Sequence, residues 1–185
     1  MIELTIEQIE KAERLLAHVP REVPKVIARA INRAAESAKT EAARQVREKY
    51  YIKYKEVTST MKIHKATSAD LSAAVISRDT RRELINFRVN PKVPRHAKPP
   101  AVLRVAVKKD GLKDLPRAFV AKGSSSGKLH VLQRVGKERY PLHIKYGPSV
   151  PQMLDNREVY EVVEEKAVEV LDKRLDHEIN RILEG

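Results

Sequence analysis

The chain has 185 residues, no cysteine, no tryptophan and a formal net charge of +12. That length suits one domain, or one domain with an appendage, and suffices to bury roughly 70% of the unfolded surface. The lack of cysteine excludes disulfides and thiolate metal sites; the early acids of MIELTIEQIEKAERLL, and the lack of any run near ~20 apolar residues, exclude an expected signal peptide or membrane span.

Residues 5–18 read as an amphipathic helix with Thr5 as cap and Ile6, Ile9 and Leu16 near one face; His18, Val19 and Pro20 end it. Residues 21–50 carry the clearest helical period. Val23, Val26, Ile27, Ala30, Ile31, Ala34, Ala38, Ala42, Val46 and Tyr50 recur at steps of three or four. Pro24 falls in the first turn, where it is tolerated. The opposite face holds Arg21, Lys25, Arg29, Arg33, Lys39, Arg44, Arg47 and Lys49. It reads either as a solvated face or as one turned toward nucleic acid or another subunit.

YYIKYKEVTSTM reads as a short helix or turn, after which the period changes from 3.6 to 2. LSAAVIS (71–77), LINFRV (84–89) and AVLRVAV (101–107) alternate as half-buried strands do. Between the last two, NPKVPRHAKPP has four Pro and three basic residues in eleven positions, which forbids a helix or a central strand. It is expected to be an extended arm, either a connector or a basic contact arm. RAFVAK (117–122) and KLHVLQR (128–134) flank the GSSSG tip, and VGKER leads into YPLHIKY (140–146), giving a three-stranded antiparallel meander. Lys122, Lys128, Arg134, Lys137 and Arg139 around its tips are the candidate surface facing DNA or a partner.

YGPSVPQML follows. Pro148 and Pro151 fix φ and lack N–H donors, so a stiff bend is expected here instead of a central strand. Its apolar side chains either tuck beneath the chain's own sheet or project as a preordered plug for a neighbouring copy. On the second reading the interface residues are Tyr146, Pro148, Val150, Pro151, Met153 and Leu154. A final helix begins near Arg157, capped by an Asp155/Glu158 box, with Val159, Val163, Ala167, Leu171, Leu175, Ile179 and Ile182 as its stripe. From residue 155 onward the net charge is −5, which leaves +17 on residues 1–154. A basic body with an acidic tail helix suits a polyanion on one surface, or head-to-tail contacts between copies. The expected fold is α+β: a small antiparallel sheet, the meander of residues 117–146, packed on long N- and C-terminal helices. One domain is expected, with a helical part at 1–60, a strand-rich basic part at 61–146 including the arm at 90–100, and the bend and acidic helix at 147–185.

No catalytic constellation assembles. His64, His96, His130, His143 and His177 are scattered; only His130 and His143 are placed to face each other across adjacent strands, and no carboxylate lies near them in sequence. Ser124–Ser126 occupy a glycine-flanked tip without an accompanying base, and the glycines fit neither a Walker loop nor a dinucleotide fingerprint. No metal or cofactor is expected. A cellular, sequence-independent DNA-binding protein using the basic body is the alternative function. A hydrolase, dependent on His130 or His143, is a third.

In order along the chain, RAFVA, a glycine-containing tip, HVLQRVGKERYPL, YGPSVPQML and an acidic C-terminal helix resemble the minor tail protein Z family of tailed phages and prophages. AINRAAESAKTEAARQVREKY, leading into strands, is similar to that family's N-terminal half. The resemblance spans nearly the whole chain and is most specific over residues 117–154. It implies a non-enzymatic virion structural protein, made in the bacterial host cytoplasm and acting late in tail assembly near the head–tail connection. It implies tail and neck proteins as partners, homo-oligomeric rings around the DNA channel with non-specific DNA contact, and no membrane. It supplies no catalytic residues and no cofactor.

Overall fold

The computed structural model describes residues 6–94, 102–123 and 127–184. Thr5, His96 and Ser124–Ser126, and most of the proline-rich arm, lie outside the described residues. The elements run α1 (Ile6–Leu15), α2 (Val23–Lys49), α3 (Tyr54–Thr58), β1 (Met61–His64), β2 (Ala74–Ser77), a 3-10 turn (Leu84–Asn86), β3 (Arg88–Asn90), β4 (Leu103–Ala106), β5 (Lys113–Leu115), β6 (Ala118–Lys122), β7 (Leu129–Arg134), β8 (Leu142–Ile144), α4 (Val150–Leu154) and α5 (Arg157–Leu183).

The fold is α+β, and α2 is its axis. Its 27 residues span about 40 Å. All ten positions of the stripe read from the sequence are buried. So are Ala28, Ala35, Glu41, Ala43 and Gln45, because partners cover more than one side of this helix. α5 packs antiparallel along it: Arg29 pairs with Glu178 near one end and Lys49 with Glu158 near the other. The alanines at 30, 34, 38 and 42 have no side chain beyond Cβ, so the helices approach closely. One core cluster joins the first half of α2 to α1 and to Leu171, Leu175 and Ile179 of α5. A second joins its last turns to the strands, α4 and Val159.

The strands form three small antiparallel sheets rather than one: β1–β2, β3–β4–β5 and β6–β7–β8. The meander is the third, with Val120 opposite Val131 and Leu132 opposite Ile144. The stretch read as a strand at 84–89 is half turn: Leu84–Asn86 wind into a 3-10 helix, and only Arg88–Asn90 pair with β4. β1 and β5 carry too few alternating apolar residues to stand out in the sequence.

At the start of α5 the cap is Asn156, whose Oδ1 accepts from the Glu158 N–H at 3.2 Å. The expected Asp155/Glu158 box does not form, because Asp155 closes α4 instead. The Asn156 amide also donates to the Tyr50 hydroxyl at 3.0 Å, tying the acidic helix to the end of α2.

Candidate assembly surface

Residues 146–154 are pinned by backbone before any side chain acts. Leu84 N–H donates to Lys145 C=O at 2.9 Å, and Gly147 N–H donates to Arg82 C=O at 2.7 Å. Gly147 lies so close to Phe87 that a Cβ there would sit 2.7 Å from the ring's Cε2. The chain then winds into α4, with Pro151 in its first turn, where a missing N–H is harmless. Ser149 N–H donates to Gln152 Oε1 at 3.0 Å, and Val150 N–H reaches Asp79 Oδ2 at 3.3 Å. Arg82 holds that carboxylate through Nε at 2.8 Å, and its Nη2 donates to Glu56 C=O at 3.2 Å.

This turn decides the direction of the apolar side chains. Val150 and Met153 are one helical turn apart and share a face. Both are 0% exposed and belong to the same core cluster as Val46, Val57, Leu84 and Phe87. They therefore do not project as a plug; that expectation fails for these two residues because the bend is helical and its apolar face meets α2 and the core. Of the other candidates, Tyr146 is 49% exposed, and Pro148, Pro151 and Leu154 are half-buried.

Leu154 leads to a feature the α5 stripe did not reveal. It lines an open apolar groove of about 390 Å³ whose floor is Ala38 and Ala42 and whose walls include Val75 and Val163. Tyr160 and Val168, on the rim, are 56% and 53% exposed. The available sequence signal was apolar residues off the stripe: Tyr160 and Val168 each follow a buried stripe position by one.

The cations of the meander do not form one surface. In an antiparallel meander successive turns lie at opposite ends, so Lys122 and Lys128 flank one end of β7 and Lys137 and Arg139 the other. β7 has six residues, so the ends are roughly 20 Å apart. Arg134 is half-buried; it lies 5.3 Å over the Phe119 ring and donates to Arg139 C=O at 2.7 Å. The basic face of α2 is largely matched within the chain. Lys25, Arg33 and Arg44 pair with Glu22, Glu36 and Glu41 on the same helix or its cap. Arg29 Nε lies 2.8 Å from Glu178 Oε2, a contact of charges without hydrogen-bond alignment. Lys11 reaches Asp176 at 2.6 Å. The acidic helix thus finds its first cations on its own chain.

Two pKa shifts follow from these pairs. Hydrogen bonds from Arg44, and then from Gln45, hold the Glu41 carboxyl below its ordinary value against the opposing effect of burial. Lys166 and Lys173 together pull Glu169 down to about 2.

His130 and His143 do not face each other. His143 sits opposite Gln133 and His130 opposite Ala121. His130 Nδ1 instead lies 2.6 Å from Glu83 Oε2. Among the described residues no three His, Asp or Glu side chains gather as metal ligands.

The model of the family described as prophage minor tail protein Z (GPZ) matches residues 6–184. The chain belongs to the prophage minor tail protein Z family. The family supports a phage tail structural role, with other phage tail proteins as partners. No curated protein and no solved structure matches the chain. Among the described residues no helix of this minor tail protein Z family member is long and apolar enough to cross a membrane.

Proposed function

We propose that this chain is a non-enzymatic component of the head-proximal tail end, made in the host cytoplasm, where copies assemble as a ring around the DNA channel. The family match over residues 6–184 carries the reading. The open groove supports it, because Tyr160 and Val168 leave apolar surface exposed beside Leu154. Copies meet, on this reading, through the groove, the outer face of α5 and the edge formed by exposed Tyr146 with half-buried Pro148 and Pro151. Lys122 and Lys128 at one end of the meander, and Arg134, Lys137 and Arg139 at the other, face two different neighbours, since their separation is too large for one small contact.

The test is incorporation. A Tyr160→Glu/Val168→Glu variant changes two side chains already more than half exposed, so its circular dichroism and melting temperature stay close to those of the parent. Tails assembled with it should lack the protein, and electron microscopy of tails carrying the labelled parent should show density at the head-proximal end. Normal incorporation of the variant, or label elsewhere on the tail, overturns the proposal.

A further inference from the structure

A second set of cations is brought together from four separate segments of the chain. Arg47 comes from the last turn of α2, Lys53 from the connector to α3, Arg88 from β3 and Lys109 from the loop between β4 and β5. With Tyr51 they line a shallow depression of about 370 Å³. Two backbone bonds fix the loop against the helix end: Tyr51 N–H donates to Val107 C=O at 2.9 Å and Lys109 N–H to Lys49 C=O at 2.8 Å. Arg88 Nη1 donates to the Tyr51 hydroxyl at 2.8 Å, and its guanidinium lies 5.4 Å from the ring centre. Lys109 Nζ lies 5.9 Å from the same centre. The two charges are therefore no more than about 11 Å apart, around one ring that is attractive to both.

None of the four cations has a carboxylate within ion-pair distance among the described residues. Acids close to them in sequence are engaged elsewhere: Glu48 with Arg44, Glu56 with Arg82 and Asp110 with Lys113. A helix C-terminus favours cations, which accounts for Arg47. It does not account for Lys53, Arg88 and Lys109, which converge from three other segments against their mutual repulsion. All four are exposed.

We infer that this depression binds the phosphodiester backbone of double-stranded DNA without reading its sequence. A duplex strand presents one charge per about 3.4 Å of axis, a density that several closely grouped cations match and a single carboxylate does not. Arginine and lysine around a tyrosine supply phosphate donors, and the site offers no Asn or Gln pair arranged for base edges beyond Asn86. The inference stands apart from the tail assignment, because it concerns the isolated chain and is read without particles.

The experiment titrates the full chain into a fluorescently labelled DNA duplex of roughly 20 base pairs, reading anisotropy between about 50 and 200 mM salt. Four phosphate contacts predict a slope of log affinity against log salt of about −4. Arg88→Gln/Lys109→Gln should lower the slope by about 2 and weaken binding at least tenfold at the low-salt end, equally for unrelated sequences. Arg47→Gln/Lys53→Gln should do the same and touches no tyrosine contact, so a folding defect in the first variant leaves the test intact. Lys122→Gln/Lys128→Gln should keep the parental slope. Absence of binding by the parent at about 50 mM salt, parental slopes in both depression variants, or loss of slope in the meander variant instead would each overturn the inference.

Discussion

Replacing Val150 by Asp tests the inward orientation of the bend directly. The side chain is 0% exposed, so losing its burial costs about 1.5–3 kcal/mol. The new carboxylate would stand in an apolar cluster, next to a backbone N–H that already faces the Asp79 carboxylate at 3.3 Å. Desolvation and like-charge repulsion therefore act together, and the total exceeds about 4 kcal/mol. That is a large part of the 5–15 kcal/mol by which folded chains are typically stable, roughly. For a chain of this size each kcal/mol moves the melting temperature by about 2–4 °C, so a fall of about 10–15 °C or outright unfolding is expected. Tyr146→Ala is the comparison: half exposed and outside the core clusters, it should change stability by about 0.5 kcal/mol, or about 1–2 °C. Thermal melts followed by circular dichroism, with urea titration as a check, distinguish the two. A Val150→Asp protein that melts as the parent does, yet fails to enter tails, would refute the inward packing and restore a projecting plug.

Gly147→Ala should lower the melting temperature by roughly 3–8 °C, because its methyl carbon would press on Phe87, itself buried against Leu84; an unchanged melt would show that the ring can move aside. Acid should weaken the fold through Glu41 and Glu169, whose carboxyls are lowered from 4.5 by their cationic partners, Glu169 to about 2. A lowered folded pKa contributes stability above the unfolded value and loses it as pH falls through the folded one, so the melting temperature should decline from about pH 4.5 toward about 2. Glu41→Gln should flatten part of that decline, and a curve identical to the parent's would show that the Arg44 contact contributes nothing. Added salt should shrink the exposed Glu169 share more than the Glu41 share.

Periodicity and chemistry along the chain were enough for much of the architecture. The stripe from Val23 to Tyr50 identified α2 because a 3.6-residue repeat leaves one apolar line wherever that line is later buried. The meander was legible because strands alternate with period two and the turn residues between them are polar or glycine. Pro148 and Pro151 excluded a strand at the bend, yet nothing local distinguished a loop from α4, since five residues carry too little period to read. β1 and β5 escaped for the same reason, and the Asn156 cap escaped because Asp155 beside it is an equally good capping residue.

The sequence by itself determined the helical axis, the α+β class, the family resemblance and the division into a basic body and an acidic helix. Only the tertiary structure decided that Val150 and Met153 point inward, that the cations at the meander tips sit at opposite ends, and that Arg47, Lys53, Arg88 and Lys109 meet around Tyr51. A repeat along a chain states which side chains share a face. What that face meets depends on segments tens of residues away, and those contacts are made by folding.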